Sequence, residues 1–100
     1  MNFENIINPV ELKEWINKGD KFQLVDITEE NIFKNQLVEF IWIPVSKLFN
    51  NIQNFRTDIP VVLCCQHGES SFLLMNILHY KHNLTNVYSL KSGFEGWKSS

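Results

Sequence analysis

The most constraining feature of the sequence is a run of apolar residues, 59–64, that leads through a short polar loop into an apolar helix. The run reads Ile-Pro-Val-Val-Leu-Cys, which is too uniformly hydrophobic for a strand with one face in water, so it predicts a central strand of a parallel sheet. Ser70 or Ser71 is placed to cap the following helix, and residues 72–78 are apolar nearly all round it, which predicts a buried helix. Ligand sites of open α/β sheets form at loops of this kind, beyond the carboxyl ends of the strands.

The rest of the chain alternates between strand and helix patterns. Asn8-Pro9-Val10-Glu11 has the residues of a capping box and predicts a helix that ends near Gly19. The further predicted elements are a strand at 22–27, a short helix from Thr28, a buried strand at 40–43, a helix capped by Ser46, a connection at 50–58, a strand at 86–90 and a terminal turn or short helix at 92–97. Trp15, Trp42 and Trp97 are expected in the core. This alternation predicts an α/β fold, an open parallel sheet with helices on both faces.

The composition fits one folded domain over residues 1–100 and excludes several classes of partner. The chain is 44% hydrophobic and 20% charged, whereas disordered chains combine low hydrophobicity with high charge. Eight scattered lysines and a single arginine, Arg56, form no basic run, so we expect no binding to nucleic acid. The sequence has neither an apolar stretch as long as a membrane span nor the pattern of a signal peptide, so we expect no membrane association. The two cysteines are adjacent and cannot readily cross-link a fold, which predicts a reduced, cytoplasmic protein.

The loop after the apolar run carries the candidate chemistry. Cys65 opens this loop, and a cysteine thiolate is favoured where backbone N–H groups and a helix dipole converge on the sulfur. Gly68 allows the backbone to curl so that successive amides point inward, and Ser70 and Ser71 add hydroxyl donors. The loop therefore predicts a cradle for a thiolate, a persulfide or a small anion, whereas Cys64 continues the apolar strand and is expected to pack in the core.

Two other residues near this loop have open roles. His67 is either a base or partner for Cys65 or a solvated loop residue. Asp26, at the carboxyl end of its strand, either reaches the same rim as Cys65 or caps the turn that follows it. The cysteines and histidines match no ligand-spacing pattern, so we expect no metal and no other cofactor.

Several landmarks occur in an order that resembles the single-domain rhodaneses. They are Asn8-Pro9-Val10-Glu11-Leu12, Leu24-Val25-Asp26-Ile27, Ile41-Trp42-Ile43-Pro44, Asn86-Val87-Tyr88-Ser89-Leu90 and Gly93-Phe94-Glu95-Gly96-Trp97. The family's active-site loop reads Cys, two residues, Gly, one residue, Arg, Ser, which resembles residues 65–71, Cys-Gln-His-Gly-Glu-Ser-Ser. The resemblance implies a rhodanese-like sheet of about five strands with Cys65 as the persulfide-forming cysteine. It also implies that the loop residues Gln66, His67, Gly68, Glu69, Ser70 and Ser71 bind the substrate.

The loop departs from the family pattern at a position that bears on the substrate. Ser70 stands where the family has arginine, and Thr28 stands where an arginine commonly follows the aspartate of the second strand. The segment at 35–39 also lacks the family's His-Ile-Pro-Gly run. Arginine gives an oxyanion a bidentate grip that a serine hydroxyl cannot supply, and the carboxylate of Glu69 repels a dianion. We therefore expect weak activity with thiosulfate.

Three functions are compatible with these residues. The leading hypothesis is a sulfurtransferase or persulfide carrier, in which Cys65 takes sulfane sulfur from a small donor or a protein persulfide and passes it to a thiol or cyanide-like acceptor. The second is a rhodanese-like protein-interaction module with weak or no catalysis. The third is redox sensing by Cys65.

Overall fold

The computed structural model describes residues 2–100, within which the chain forms five strands and four α-helices. The strands are β1 (Ile6–Ile7), β2 (Gln23–Asp26), β3 (Ile41–Trp42), β4 (Val61–Cys64) and β5 (Val87–Leu90), and the helices are α1 (Pro9–Lys18), α2 (Val45–Leu48), α3 (Glu69–His82) and α4 (Gly93–Ser99). A 3-10 helix, Phe49–Asn54, follows α2. All strand pairs are parallel, in the order β1-β5-β4-β2-β3. The predicted α/β fold with an open parallel sheet is therefore confirmed.

Strand β4 lies at the centre of the sheet, as its uninterrupted apolar sequence predicts. Its four residues are fully buried, and it pairs with β2 on one side and β5 on the other. Leu63 is in register with Val25 and with Ser89, and Cys64 is opposite Asp26. The carboxyl ends of β2, β4 and β5 therefore meet at one edge of the sheet.

Helices cover both faces of the sheet, and each face has its own apolar cluster. On one face, Leu74, Met75 and Leu78 of α3 pack with Leu48 of α2. On the other face, Leu12 of α1 packs with the buried Phe33 and with the partly buried aromatic side chains of α4. Within residues 2–100, no helix combines the length and the apolar character needed to cross a membrane.

Helix α1 begins as its sequence predicts. The Glu11 N–H donates to Asn8 Oδ1 at 2.8 Å, and the Asn8 N–H donates to Glu11 Oε1 at 3.2 Å, which completes the capping box. Gly19 ends the helix with φ 73°, in the left-handed region that glycine adopts without strain.

Strand β3 is an exposed edge, so the prediction of a buried strand at 40–43 is wrong. The strand has only two residues and pairs with β2 alone. The prediction that Trp42 lies in the core is also wrong, because 47% of its surface is exposed. Its indole Nε1–H donates to the Thr28 carbonyl at 2.6 Å, which ties the ring to the loop after β2 instead.

Several helix boundaries also differ from the predictions. The segment from Thr28 forms turns rather than a helix, and part of the connection at 50–58 forms the 3-10 helix. Ser46 lies inside α2, which begins after Pro44, and α3 begins one turn earlier than Phe72, after Gly68. Helix α3 is buried on one side only, since 52% of Leu73 is exposed. Strand β1 has two residues, too few for the sequence pattern to reveal.

Candidate active site

Cys65 lies directly after β4, at the edge where β2, β4 and β5 end. Only 7% of its surface is exposed. The loop of residues 65–68 then turns the chain into α3 at Glu69. This is the position at which open parallel sheets build their ligand sites.

Three polar groups converge on the sulfur of Cys65. The Gly68 N–H donates to Sγ at an N···S distance of 3.1 Å, and the Ser71 N–H donates to it at 3.4 Å. The Ser71 hydroxyl lies 3.4 Å from the same sulfur. The first N–H groups of a helix have no partner within the helix, and Gly68, at the N-cap position, has no side chain to accept from them. The sulfur of Cys65 therefore takes the place of a cap side chain, in the position where a helix favours negative charge.

Gly68 is required for this geometry. Its φ is 94° and ψ is -11°, a backbone conformation that residues with a Cβ rarely adopt. A Cβ at this position would lie 2.8 Å from the Ser92 backbone nitrogen. The absence of a side chain thus lets the loop curl and lets α3 start close to the turn before α4.

The loop is fastened to the start of α4 by its backbone. The Phe94 N–H donates to the Cys65 carbonyl at 2.8 Å, and the Glu95 N–H donates to the Gln66 carbonyl at 3.1 Å. The Gln66 side-chain amide also donates to the Glu95 carboxylate. Gly93 permits this close approach, because a Cβ there would overlap the Cys65 carbonyl oxygen. These contacts join parts of the chain that are far apart in the sequence. The only sign of them in the sequence is a glycine in the terminal segment.

Ser89 is a neighbour of the site that sequence reasoning missed. Its hydroxyl lies 2.7 Å from the Ser71 hydroxyl, and both side chains are buried. The sequence shows a serine within a predicted strand, but serines are common in strands. Only the structure shows that this hydroxyl faces Ser71.

The two adjacent cysteines have different environments. Cys64 points into the apolar cluster with Leu12 and Phe33, and burial, with smaller contributions from the charges of Cys65 and Asp26, raises the pKa of its thiol well above its usual range. The Cys64 thiol lies within donor distance, 3.5 Å, of the Cys65 carbonyl oxygen. Cys64 is therefore a protonated core thiol at neutral pH, and a thiolate reacts far faster than a thiol.

Asp26 caps the turn that follows β2. Its carboxylate is fully buried, and Oδ1 accepts from the Thr28 N–H at 2.9 Å and from the Thr28 hydroxyl at 2.6 Å. Oδ2 accepts from the Phe33 N–H at 3.1 Å. With both oxygens engaged in this turn, the structure favours the capping role over a role at the rim of the Cys65 site.

The remaining loop side chains face solvent. His67, Glu69 and Ser70 are exposed, and Gln66 is half-buried. The single arginine of the chain, Arg56, forms an exposed ion pair with Asp58 at 2.5 Å. The Arg56 backbone N–H donates to the side chain of Gln23, the first residue of β2, so Arg56 lies at the amino edge of the sheet, away from Cys65.

The candidate site around Cys65 does not coincide with a large cavity. An open groove of about 620 Å³ lies at the amino edge of the sheet, beside Lys21, Gln23 and Arg56. Among residues 2–100, no group of three or more histidine, cysteine and acidic side chains is arranged to hold a metal ion. The candidate site is defined instead by the donors that converge on Cys65 Sγ.

The fold is a five-stranded parallel sheet, and the site is a cysteine that follows the central strand and receives N–H groups from the start of a helix. Together they define an α/β domain with a candidate cysteine nucleophile. The family model described as "Rhodanese-like domain" matches residues 8–100. The chain therefore belongs to the rhodanese-like domain family, as its sequence pattern predicts.

Individual relatives agree with this assignment. The uncharacterized protein YqhL of Bacillus subtilis is 37% identical over 78 residues, which cover 77% of this chain and 61% of that protein. The thiosulfate sulfurtransferase GlpE of Glaesserella parasuis is 39% identical over 51 residues, which cover 49% of this chain and 44% of that protein. The chain thus spans less than two thirds of either relative's length. The crystal structure of a rhodanese-related protein from Thermoplasma volcanium shares the fold, with a TM-score of 0.79, 22% identity, and coverage of 95% of this chain and 91% of that one.

Proposed function

We propose that this domain is a persulfide-forming sulfurtransferase or sulfur carrier whose nucleophile is Cys65. The observation that carries the proposal is the convergence of the Gly68 and Ser71 N–H groups on Cys65 Sγ, because such donors favour a thiolate. Membership of the rhodanese-like family supports it, as does the similarity of half the chain to a thiosulfate sulfurtransferase. Both cysteines are free thiols, which fits the proposed location in a reducing compartment, the cytoplasm.

The proposed reaction has two balanced steps. The Cys65 thiolate attacks the sulfane sulfur of a donor, so that a bond forms from Sγ to that sulfur and the bond from the sulfur to the donor breaks. The electron pair of the broken bond leaves with the donor as its thiolate or an equivalent anion. An acceptor thiolate then attacks the same sulfur, and the pair of the Sγ–S bond returns to Cys65 as the thiolate. The site therefore needs donors for negative charge on Sγ, which the loop amides supply.

The charges of the loop indicate the class of sulfur donor. Ser70 occupies the position of the family's arginine, and both Ser70 and Glu69 are exposed at the site. A dianion such as thiosulfate meets a carboxylate there and no guanidinium, and it loses a charge-assisted pair of hydrogen bonds. We propose that the donor carries less negative charge than thiosulfate, as does a thiol persulfide of a small molecule or of a partner protein.

Ser70→Arg is expected to raise kcat/KM for thiosulfate by about tenfold, because it adds a bidentate donor for an oxyanion beside an otherwise complete amide cradle. The rate with a thiol persulfide donor is expected to change little. The measurement is thiocyanate formation from each donor with cyanide as acceptor, and Ser70→Ala is the matched control that changes the side chain without adding charge. Equal thiosulfate kinetics in folded Ser70→Arg and Ser70→Ala would show that arginine loss does not set the donor preference.

The second candidate function is an interaction module without turnover. The exposed serine in place of arginine and the small exposed fraction of Cys65 favour it. Multiple-turnover assays separate the two functions, with thiosulfate, polysulfide and a thiol persulfide as donors and cyanide or a small thiol as acceptor.

The sulfur-transfer proposal predicts turnover that Cys65→Ser abolishes and that Cys64→Ser retains. Cys64→Ser is the matched control, because its hydroxyl keeps a donor near the Cys65 carbonyl. Absence of turnover by the folded wild-type protein with every donor would contradict a catalytic role and support the module.

A further inference from the structure

Ser89 of β5 lies next to the cradle, in contact with Ser71. Its surface is 1% exposed and that of Ser71 is 0% exposed, so bulk water does not compete for either hydroxyl. The two oxygens are 2.7 Å apart, which is the usual length of a hydrogen bond between hydroxyls. Among residues 2–100, the hydrogen-bond partner of the Ser89 side chain is Ser71.

The Ser71 hydroxyl has three neighbours and one proton. Its oxygen lies 2.7 Å from Ser89 Oγ, 3.2 Å from the Gly68 carbonyl oxygen and 3.4 Å from Cys65 Sγ. When Cys65 is a thiol, its S–H donates to Ser71 Oγ, and the Ser71 proton turns to Ser89 or to Gly68. When Cys65 is a thiolate, it can only accept, so a hydrogen bond between the two groups requires the Ser71 O–H to point at the sulfur.

When Cys65 is a thiolate, a chain of hydrogen bonds gives both hydroxyl protons an acceptor and gives the sulfur a donor. Ser89 O–H donates to Ser71 Oγ, and Ser71 O–H donates to Cys65 Sγ. If Ser71 donated to Ser89 instead, the thiolate would lose a donor and the buried Ser89 proton would lack an acceptor, which costs free energy. A hydroxyl that accepts one hydrogen bond also donates a stronger one.

We propose that Ser89 is a positioning residue that turns the Ser71 hydroxyl toward Cys65 Sγ whenever the sulfur carries negative charge. This role rests on the proposed function, in which Sγ is charged before it takes sulfur and again when it releases it. When the Ser89 O–H donates to it, Ser71 donates a stronger hydrogen bond, which favours the charged sulfur over the neutral Gly68 carbonyl that already accepts the Phe72 N–H. Without the Ser89 hydroxyl, this strengthening is lost and the Gly68 carbonyl competes better for the Ser71 proton.

The step most affected is the release of sulfur to the acceptor. An acceptor thiolate bonds to the sulfane sulfur, the Sγ–S bond breaks, and its electron pair goes to Sγ, so Cys65 is the leaving group. A leaving thiolate departs faster when it is better stabilised. Loss of Ser89 is therefore expected to slow unloading even at a pH where the acceptor is fully ionised.

Other ionisable groups near Cys65 are the same in every variant compared. Cys64 ends β4 and Asp26 ends β2, and the charges of Cys65 and Asp26 both act on the Cys64 thiol. His67 and Glu69 are exposed, and Glu95 of α4 accepts from the Gln66 side chain. Differences among Ser89 variants in the pH dependence of reactivity therefore report the hydroxyl chain.

The test compares wild type, Ser89→Ala, Ser71→Ala and the double variant by two readouts. The first is the rate of Cys65 alkylation by iodoacetamide from pH 6 to pH 9, which requires no sulfur donor, with the modified cysteine assigned by fragment mass. The second is single-turnover unloading of preloaded protein to a small thiol. We expect Ser89→Ala to slow alkylation about fivefold at the low end of this range, with a difference that narrows as the pH rises, and to slow unloading about fivefold. The double variant is expected to match Ser71→Ala, because Ser89 acts through Ser71.

A matched pair keeps the test independent of folding defects. Ser89→Thr retains the hydroxyl and Ser89→Val replaces it with a methyl group at nearly the same volume, so threonine is expected to restore both rates relative to valine. Equal rates in wild type and folded Ser89→Ala, or an effect of Ser89→Ala that persists undiminished without Ser71, would overturn the proposal. If the wild-type protein takes up no sulfur, the proposed function fails while the alkylation readout still tests Ser89.

Discussion

Gly93→Ala is expected to lower the free energy of unfolding by about 3 kcal/mol or more, because the substitution combines backbone strain with overpacking. Gly93 has φ 55°, which costs a residue with a Cβ about 1–2 kcal/mol. The added Cβ would lie 2.8 Å from the Gln66 carbonyl carbon and would overlap the Cys65 carbonyl oxygen. Both contacts are with backbone atoms, which cannot rotate away as a side chain can.

Gly19→Ala is the matched control for this prediction. Gly19 also has positive φ, 73°, but a Cβ there would have nothing within 4 Å, so it is expected to cost only about 1–2 kcal/mol of strain. Urea unfolding followed by tryptophan fluorescence measures both variants. A loss of stability in Gly93→Ala no greater than that in Gly19→Ala would contradict the close approach of α4 to the active-site loop.

The elements that could be predicted from the sequence are those encoded by neighbouring residues. The capping box at Asn8 uses side chains three residues apart, and its hydrogen bonds form as expected. The apolar run that ends at Cys64 predicts a central strand because only a strand covered on both faces tolerates such a sequence. The polar, glycine-containing loop after this run predicts that Cys65 lies just before a helix, and the structure places it there.

One wrong prediction concerns the strand order, and the other concerns a side chain that competes with a helix for backbone N–H groups. Ile41 and Trp42 read as a buried strand, but burial depends on the strand order, which puts β3 at the edge. A helix from Thr28 has good local signals, yet Asp26 draws the Thr28 and Phe33 N–H groups to its buried carboxylate and holds turns instead. Aspartate side chains that bond to nearby backbone N–H groups compete with helix formation in this way.

The same limit applies to the site. The sequence indicated the loop that carries Cys65, because its residues are contiguous. It gave no sign that Ser89 meets Ser71 or that Gly93 admits the Cys65 carbonyl, since these contacts join residues 18 and more positions apart. They arise from the pairing of β5 with β4, which brings Ser89 opposite Leu63.

Loading of sulfur onto Cys65 is the prediction with an all-or-none effect. Cys65 Sγ receives the loop N–H groups, whereas burial raises the pKa of the Cys64 thiol and keeps it protonated. A thiolate is required for attack on sulfane sulfur. One cysteine of the adjacent pair is therefore expected to take up sulfur and the other is not.

The direct measurement is the intact mass of the purified protein after incubation with a thiol persulfide or polysulfide and removal of excess donor. We predict that the wild-type protein and Cys64→Ser each gain the mass of one sulfur atom, that a small thiol removes it, and that Cys65→Ser gains nothing. Circular dichroism of the three proteins verifies that each is folded. Uptake of sulfur by Cys65→Ser, or no uptake by the folded wild-type protein from either donor, would contradict the assignment of Cys65 as the sulfur-carrying residue.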